Sequence, residues 1–217
     1  MDGLGLSAPS RGRMNELPQP PSSAFAQAVH ARVAGMPGFL LDHCTRSWQL
    51  AALALADRLA DVDTEVLYAG AMLHDLGLWE QVADPDERFE AHGANTARDL
   101  AREHGLGESR ANNLWDVVAL HADALAAHKS PETAALSVGV RADVSGGGLD
   151  QLPPHLLDDV FATRGGFSPK FFDVLVAYSR NHPGGAAFTW LQPVVAPHLP
   201  EIRWPDLEAR AGAHPYE

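Results

Sequence analysis

Cys44 is the only cysteine in the 217-residue chain, so no internal disulfide can form and a cysteine-rich zinc site is excluded. That usage fits a reducing compartment, and a cytoplasmic location is expected. Lysine is nearly as scarce. Lys129 and Lys170 are the only two, and 16 basic residues stand against 28 acidic ones for a net charge of −12. Nucleic-acid binding usually leaves a basic patch, and none is visible, so no nucleic-acid partner is expected. No apolar run approaches the ~18 residues that a membrane span needs, so no membrane partner is expected either. Glycine-rich phosphate loops, internal repeats and strand-like alternation are all missing from the pattern. The stretch from Met1 to Ser23 carries Gly, Pro, Ser and two arginines without an apolar core, so it reads as a mobile tail over residues 1–22 and not as a signal peptide.

What the chain has is apolar residues at three- and four-residue spacing, within a composition that is 46% hydrophobic. The length suffices to bury a core without disulfides. This pattern predicts an all-α fold, a single helical bundle or orthogonal array over residues 23–217. A first helix is expected from Ser22 or Ser23 to about Val33, and a second from Phe39 to Leu59 with Leu40, Cys44, Trp48, Ala51, Leu55 and Leu59 as its stripe. Asp63 or Thr64 can cap a third that runs through Val66 to His74 and stops at Gly77. Further helices are expected over Ala91–Glu103, Glu108–His121, Pro131–Asp143, Pro154–Ala162 and Pro169–Arg180, and the Pro-rich tail beyond Trp190 is expected as extended chain.

The chemistry starts at Leu73-His74-Asp75-Leu76-Gly77. Neighbouring residues in mid-helix point roughly 100° apart, but at a helix end closed by Gly77 the two side chains can converge. Their flanks are apolar, and buried charge without a partner is costly, so a metal ion would satisfy both at once. His43 on the second helix and Asp143 at the end of the sixth supply two more ligands, giving His43, His74, Asp75 and Asp143. Imidazole and carboxylate donors suit Zn²⁺, with Fe²⁺ or Mn²⁺ as alternatives. Cys44 points about 100° away from His43 along the helix, which predicts a core role for it.

The ordered set His, His-Asp, Asp, each on its own helix, resembles the HD-domain superfamily of metal-dependent hydrolases, a helical fold with a mono- or binuclear site. His43-Cys44-Thr45-Arg46, Leu73 to Gly77, Arg88-Phe89-Glu90-Ala91-His92-Gly93-Ala94, Trp115-Asp116 with Ala119-Leu120-His121, and Val140 to Val144 are similar to its cyanamide hydratase branch, in matching order over about residues 39 to 192. The resemblance implies a single zinc whose bound water, acidified towards a pKa of ~7, attacks an electrophilic carbon of a small molecule, a cyanamide-like nitrile first among candidates. Asp75 would relay the proton, and His121 would hydrogen-bond the substrate nitrogen or donate to it, if it is not simply bonded to a neighbouring carbonyl. Trp79 and Phe89 are the aromatics expected to wall the pocket, and Glu90 is a candidate base or substrate contact.

Binuclear members carry two more histidines between the His-Asp pair and the final Asp. His92 and His121 fall in that interval, but the usual first extra position is Phe89 here, and His92, directly before Gly93, should point elsewhere. Arg46 could orient a ligand carboxylate such as Asp75, and a surface ion pair is the duller expectation for it. Three other readings stay open: a phosphohydrolase using Arg46, Arg88 or Arg141 to hold phosphate, a binuclear iron oxygenase, and a binding module with a structural metal or none. The acidic charge neither requires nor forbids a homo-oligomer, and the Pro-rich C-terminal stretch with Trp204 could form its interface.

Overall fold

The computed structural model describes residues 16–80 and 82–213. Among them there is no strand, and the all-α class expected from periodicity is what the chain adopts. Of the expected tail, residues 1–15 lie outside the described residues, whereas Pro18 is buried and Leu17 packs against a small apolar cluster.

Helix α1 (Ala24–Val33) starts where Ser23 Oγ accepts the Ala26 amide, as expected of a capping serine. Helix α2 (Gly38–Leu55) buries Leu40, Cys44, Trp48, Ala51 and Leu55. It ends one turn earlier than the apolar stripe suggests, because Ala56 takes φ 48° and the chain continues as a 3₁₀ segment over Ala56–Asp61. The stripe runs on through that break, and Leu59 and Val62 still lie against the core. Asp63 caps α3 (Thr64–Leu73), in which every residue from Val66 to Leu73 is buried. A helix apolar on all sides belongs in the middle of a fold, and α3 packs against α1 and α2 and against three helices from later in the chain.

Gly77 does not end a helix here. It sits inside a single-turn helix, α4 (Leu76–Trp79), where a Cβ would run into the Phe89 carbonyl; the backbones touch, so only glycine fits. Next come α5 (Phe89–Glu103), α6 (Glu108–Ala119), α7 (Pro131–Ser145), α8 (Pro154–Val160) and α9 (Phe167–Asn181). Each matches a helix expected from the sequence to within a few residues, the α5 and α9 starts lying two residues early. The region after α9 departs from expectation. In place of extended chain it holds α10 (Pro183–Ala186), α11 (Leu191–Val195), a 3₁₀ turn over Ala196–His198 and α12 (Leu207–Ala211). Pro193 lies in the first turn of α11, where its missing amide hydrogen would have had no helical partner, so it does not block the helix. Leu191, Val195 and Leu199 are buried and extend the core, which reaches from Phe25 to Leu199.

Two sets of contacts fix α2, α3 and α7 relative to one another. α2 lies along α7 so closely that a Cβ on Gly139 would collide with the Ser47 carbonyl and stand 2.8 Å from the Ala51 nitrogen. α3 is tied at its start by Glu132, which accepts from the Asp63 amide (2.7 Å) and from Asn113 (3.1 Å), and by Arg110, which bridges Asp63 and Glu65. No helix among the described residues is long and apolar enough to cross a membrane.

Candidate metal centre

The end of α3, the middle of α2 and the end of α7 meet inside the core. His74 is the C-cap of α3 and Asp75 the residue before α4, so the backbone turns between them and both side chains swing to one point. His74 Nε2 and Asp75 Oδ2 are 3.4 Å apart, and His43 Nε2 lies 3.1 Å from the former and 3.5 Å from the latter. All three residues are buried, and they form a group whose ligand atoms fall within 4.8 Å of one another.

The hydrogen bonds fix which atoms carry protons. His74 Nδ1 lies 2.8 Å from the Ala71 carbonyl, which can only accept, so Nδ1 donates and Nε2 is bare on a neutral ring. His43 Nδ1 donates to Asp143 Oδ2 at 2.6 Å, which leaves its Nε2 bare in the same way. Asp75 Oδ2 is buried with no hydrogen-bond partner. With both rings neutral, three lone-pair atoms thus converge without a donor among them. Such an arrangement is repulsive unless a cation stands between them, and a proton is the smallest one that can. The titration behaviour agrees. Burial pushes His43 below its ordinary value, whereas at His74 the opposing effect of burial is outweighed by the neighbouring Asp75 charge, which raises it well above. Burial would raise Asp75, but His74 first, and then His43 and His121, hold it low. A divalent ion satisfies all three atoms at once, so the residues fit a metal ion, and His43, His74 and Asp75 are the ones that could hold it.

Asp143, expected as a fourth ligand, is placed one step back. Its Oδ2 accepts from His43 Nδ1 and from Arg46 Nη2 (3.0 Å), and its Oδ1 accepts from Arg46 Nε at 2.6 Å. Its carboxylate is therefore engaged in holding His43, in the pattern by which a carboxylate orients a metal-binding imidazole. Burial would raise Asp143, and His43 and Arg46 outweigh it and keep the group ionised. Arg46 also departs from expectation: it is buried, not a surface pair, and it orients Asp143 rather than Asp75. The Asp143 carbonyl at the end of α7 takes two hydrogen bonds from Arg164, at 3.1 and 2.9 Å, a cation where helix ends favour one.

His121 stands just past α6, with Nδ1 donating to the Val118 carbonyl at 2.7 Å and Nε2 3.8 Å from Asp75 Oδ1. The carbonyl bond and the position beside Asp75 are compatible, since that bond is what aims Nε2 into the site. Burial, helped by the nearby His74, lowers His121 to about 4, so its ring is neutral near pH 7. Phe89 is buried beside it, ring centroids 5.9 Å apart. Glu90 is buried and paired, accepting from Arg88 (2.9 Å) and from the Trp190 indole (2.9 Å). Trp79 lies elsewhere: it packs against Gly35 and does not line the cavity over the site. His92 is also elsewhere, bonded to Glu80 (3.2 Å) near Arg32 and facing Glu87, outside the converging group.

The site forms the floor of a cavity of about 420 Å³, reached by His43, Asp75 and His121. Sequence reasoning missed the cavity walls Phe171 and Trp190, and Phe167, which backs His43 without lining the cavity. Phe167 and Phe171 flank the His43 ring, the first stacked at 5.0 Å with 25° between planes, and the Arg46 guanidinium lies 5.0 Å from the centre of the same Phe167 ring. The Phe167–Phe171 spacing of four on α9 was a visible sign of one helix face, but nothing local says that the face meets His43. Trp190 lines the cavity and had no local signal at all, since its anchor Glu90 lies 100 residues away. No known family model matches the chain, and no curated protein matches it significantly.

Proposed function

We propose that the protein is a metal-dependent hydratase or hydrolase of the HD-domain type, acting on a small molecule with an electrophilic carbon, a cyanamide-like nitrile being the leading candidate. The observation that carries this reading is the meeting of His43 Nε2, His74 Nε2 and unpaired Asp75 Oδ2, three atoms that need a shared cation, beside a cavity that His43 and Asp75 line. A divalent ion there, zinc by preference of nitrogen and oxygen donors, would supply Lewis acidity and an acidified water near neutral pH.

The chain's own residues have distinct tasks. His43 is held in one tautomer by Asp143, and Asp143 by Arg46, so the donor set is preorganised. Asp75 lines the cavity and can take the proton of the attacking water. His121 Nε2, 3.8 Å from Asp75 Oδ1 and neutral, can receive that proton and pass it to the substrate nitrogen. For a nitrile the sum is balanced: carbon gains the water oxygen, nitrogen gains both protons, and an amide results with nothing oxidised or reduced. A phosphohydrolase has less support. Arg46 and Arg88 are engaged by Asp143 and Glu90, which leaves only Arg141, on the cavity wall, to hold a phosphate.

Metal content by mass spectrometry on protein purified without added metal or chelator, followed by a panel of nitriles, amides and phosphate esters, tests this. One zinc per chain with amide formed from a nitrile is the expected result. Two metal ions per chain, or cleavage of phosphate esters without nitrile hydration, would sink it.

A further inference from the structure

The cavity has a gradient from floor to mouth. His43, Asp75, Phe89 and His121 at the floor are 0–3% exposed, while Phe172, also on the wall, is 43% exposed. Between them the walls are mostly apolar, Val140 and Val144 from α7, Phe171 and Leu175 from α9, Trp190 and Val194 around α11, with Ser137 and Arg141 on α7 as polar exceptions. The arginines nearest the floor are engaged, Arg46 and Arg164 with Asp143 and Arg88 with Glu90. Among the described residues, no arginine side chain at the floor is free to pair with a charged ligand, and Arg141, the one cationic side chain lining the cavity, stands on the α7 wall.

Size matters as much as polarity. The volume of about 420 Å³ is nearly three times the ~150 Å³ that lets an apolar protein cavity hold benzene. Cyanamide has three heavy atoms. It would touch the floor and leave the walls facing water, gaining none of the contact area they offer. Wall residues this apolar gain most from a ligand that covers them.

We propose, resting on the hydratase reading, that the substrate is an uncharged molecule whose reacting carbon bears a bulky apolar group, an aryl or branched-alkyl nitrile rather than cyanamide itself. The C≡N end reaches Asp75 and His121 on the floor. The apolar group fills the space between Phe171, Leu175, Trp190 and Val194, and Phe172 closes over its outer edge. Trp190 is fixed in that wall by its indole bond to Glu90 (2.9 Å), and Glu90 is in turn gripped by Arg88. Val194 and Ser137, on different helices of the wall, are then specificity-determining positions.

Binding can be separated from turnover by using hydration products as probes. Isothermal calorimetry on the protein as purified would compare benzamide, the amide from benzonitrile, with urea, the amide from cyanamide. Benzamide is expected to bind at least about ten-fold tighter, the walls being covered only by the ring. In Val194→Trp and Ser137→Phe, which fill the cavity, that ratio should collapse towards one, with circular dichroism confirming the fold. Phe172→Ala, at an exposed position, provides a variant that risks no core and should lower the ratio by a smaller factor. Equal or tighter binding of urea by the native chain overturns the inference, as does a ratio unchanged in the folded filled variants. Tight benzamide binding without hydration of benzonitrile would uphold the cavity assignment and count against the hydratase reading alone.

Discussion

Arg46 grips Asp143 through both carboxylate oxygens, Nε to Oδ1 at 2.6 Å and Nη2 to Oδ2 at 3.0 Å, inside the core and 97 residues apart in sequence. The pair stands behind His43, and its role is to hold that ring. Arg46→Leu leaves the Asp143 charge buried without its guanidinium, so the variant should lose about 3–5 kcal/mol of stability in denaturant unfolding. Arg46→Lys keeps the charge but not the fork, and should recover only part.

Asp143→Asn tests the same arrangement from the other side. If Asp143 acts through His43, metal affinity should fall roughly 10–100-fold while binding remains measurable by calorimetry. His74→Ala, which removes one of the converging atoms, should abolish metal binding and activity together. Equal loss in the two variants would make Asp143 a ligand in its own right.

Metal removal should destabilise the fold, because three buried acceptors then face one another again. Readdition at about 100 times the dissociation constant is worth ~2.7 kcal/mol, or roughly 5–10 °C in Tm for a chain of this size. A chelator titration followed by differential scanning calorimetry measures it. A Tm indifferent to zinc, iron and manganese would leave a shared proton as the only cation at the site.

His121→Ala should keep the metal and lose activity, since the bare Nε2 faces Asp75 without joining the converging group. General acid–base groups contribute typically ~10²–10⁴-fold, and the loss should fall on kcat more than on KM. Loss of metal in this variant would show His121 to be a ligand.

Acid stability should depend on the tie at the start of α3. At Asp63, burial would raise the carboxyl, but the hydrogen bonds of Arg110 outweigh it and lower it; at Glu65, Arg110 lowers it directly. Carboxyls depressed in the folded state stabilise it above their unfolded values of about 4, and that contribution is lost as pH falls through the folded values. Both partners are partly exposed, so about 0.2–1 kcal/mol per pair is the scale. Arg110→Ala should therefore lower stability at pH 7 and match the native chain near pH ~2, read from urea unfolding at both pH values.

Much of the helical layout was legible in the sequence because its signals are local. Ser23 and Asp63 cap as expected, Pro131 opens α7, and the three- and four-residue spacing on α2 names the face that is buried. His74-Asp75 was legible for the same reason, since two adjacent polar residues at the end of an apolar helix need a shared partner. Gly77 misled because a glycine that stops a helix and a glycine that admits another backbone look alike in one dimension; the Phe89 carbonyl decides between them. The region past Trp190 misled because proline content says where helices are short, not that they are absent.

By itself, then, the sequence determined the all-α class, the position of most helices and the His43, His74, Asp75 and Asp143 cluster, because caps, turns and periodicity act over a few residues. Only the tertiary structure decided how those residues divide their tasks. That Asp143 holds His43, that Arg46 is buried to hold Asp143, and that Trp190 hangs from Glu90 are contacts across 97 to 100 residues. They depend on which helix faces pack together, and packing of α2 against α7, set by a glycine too small to keep the backbones apart, is not written in any stretch short enough to read alone.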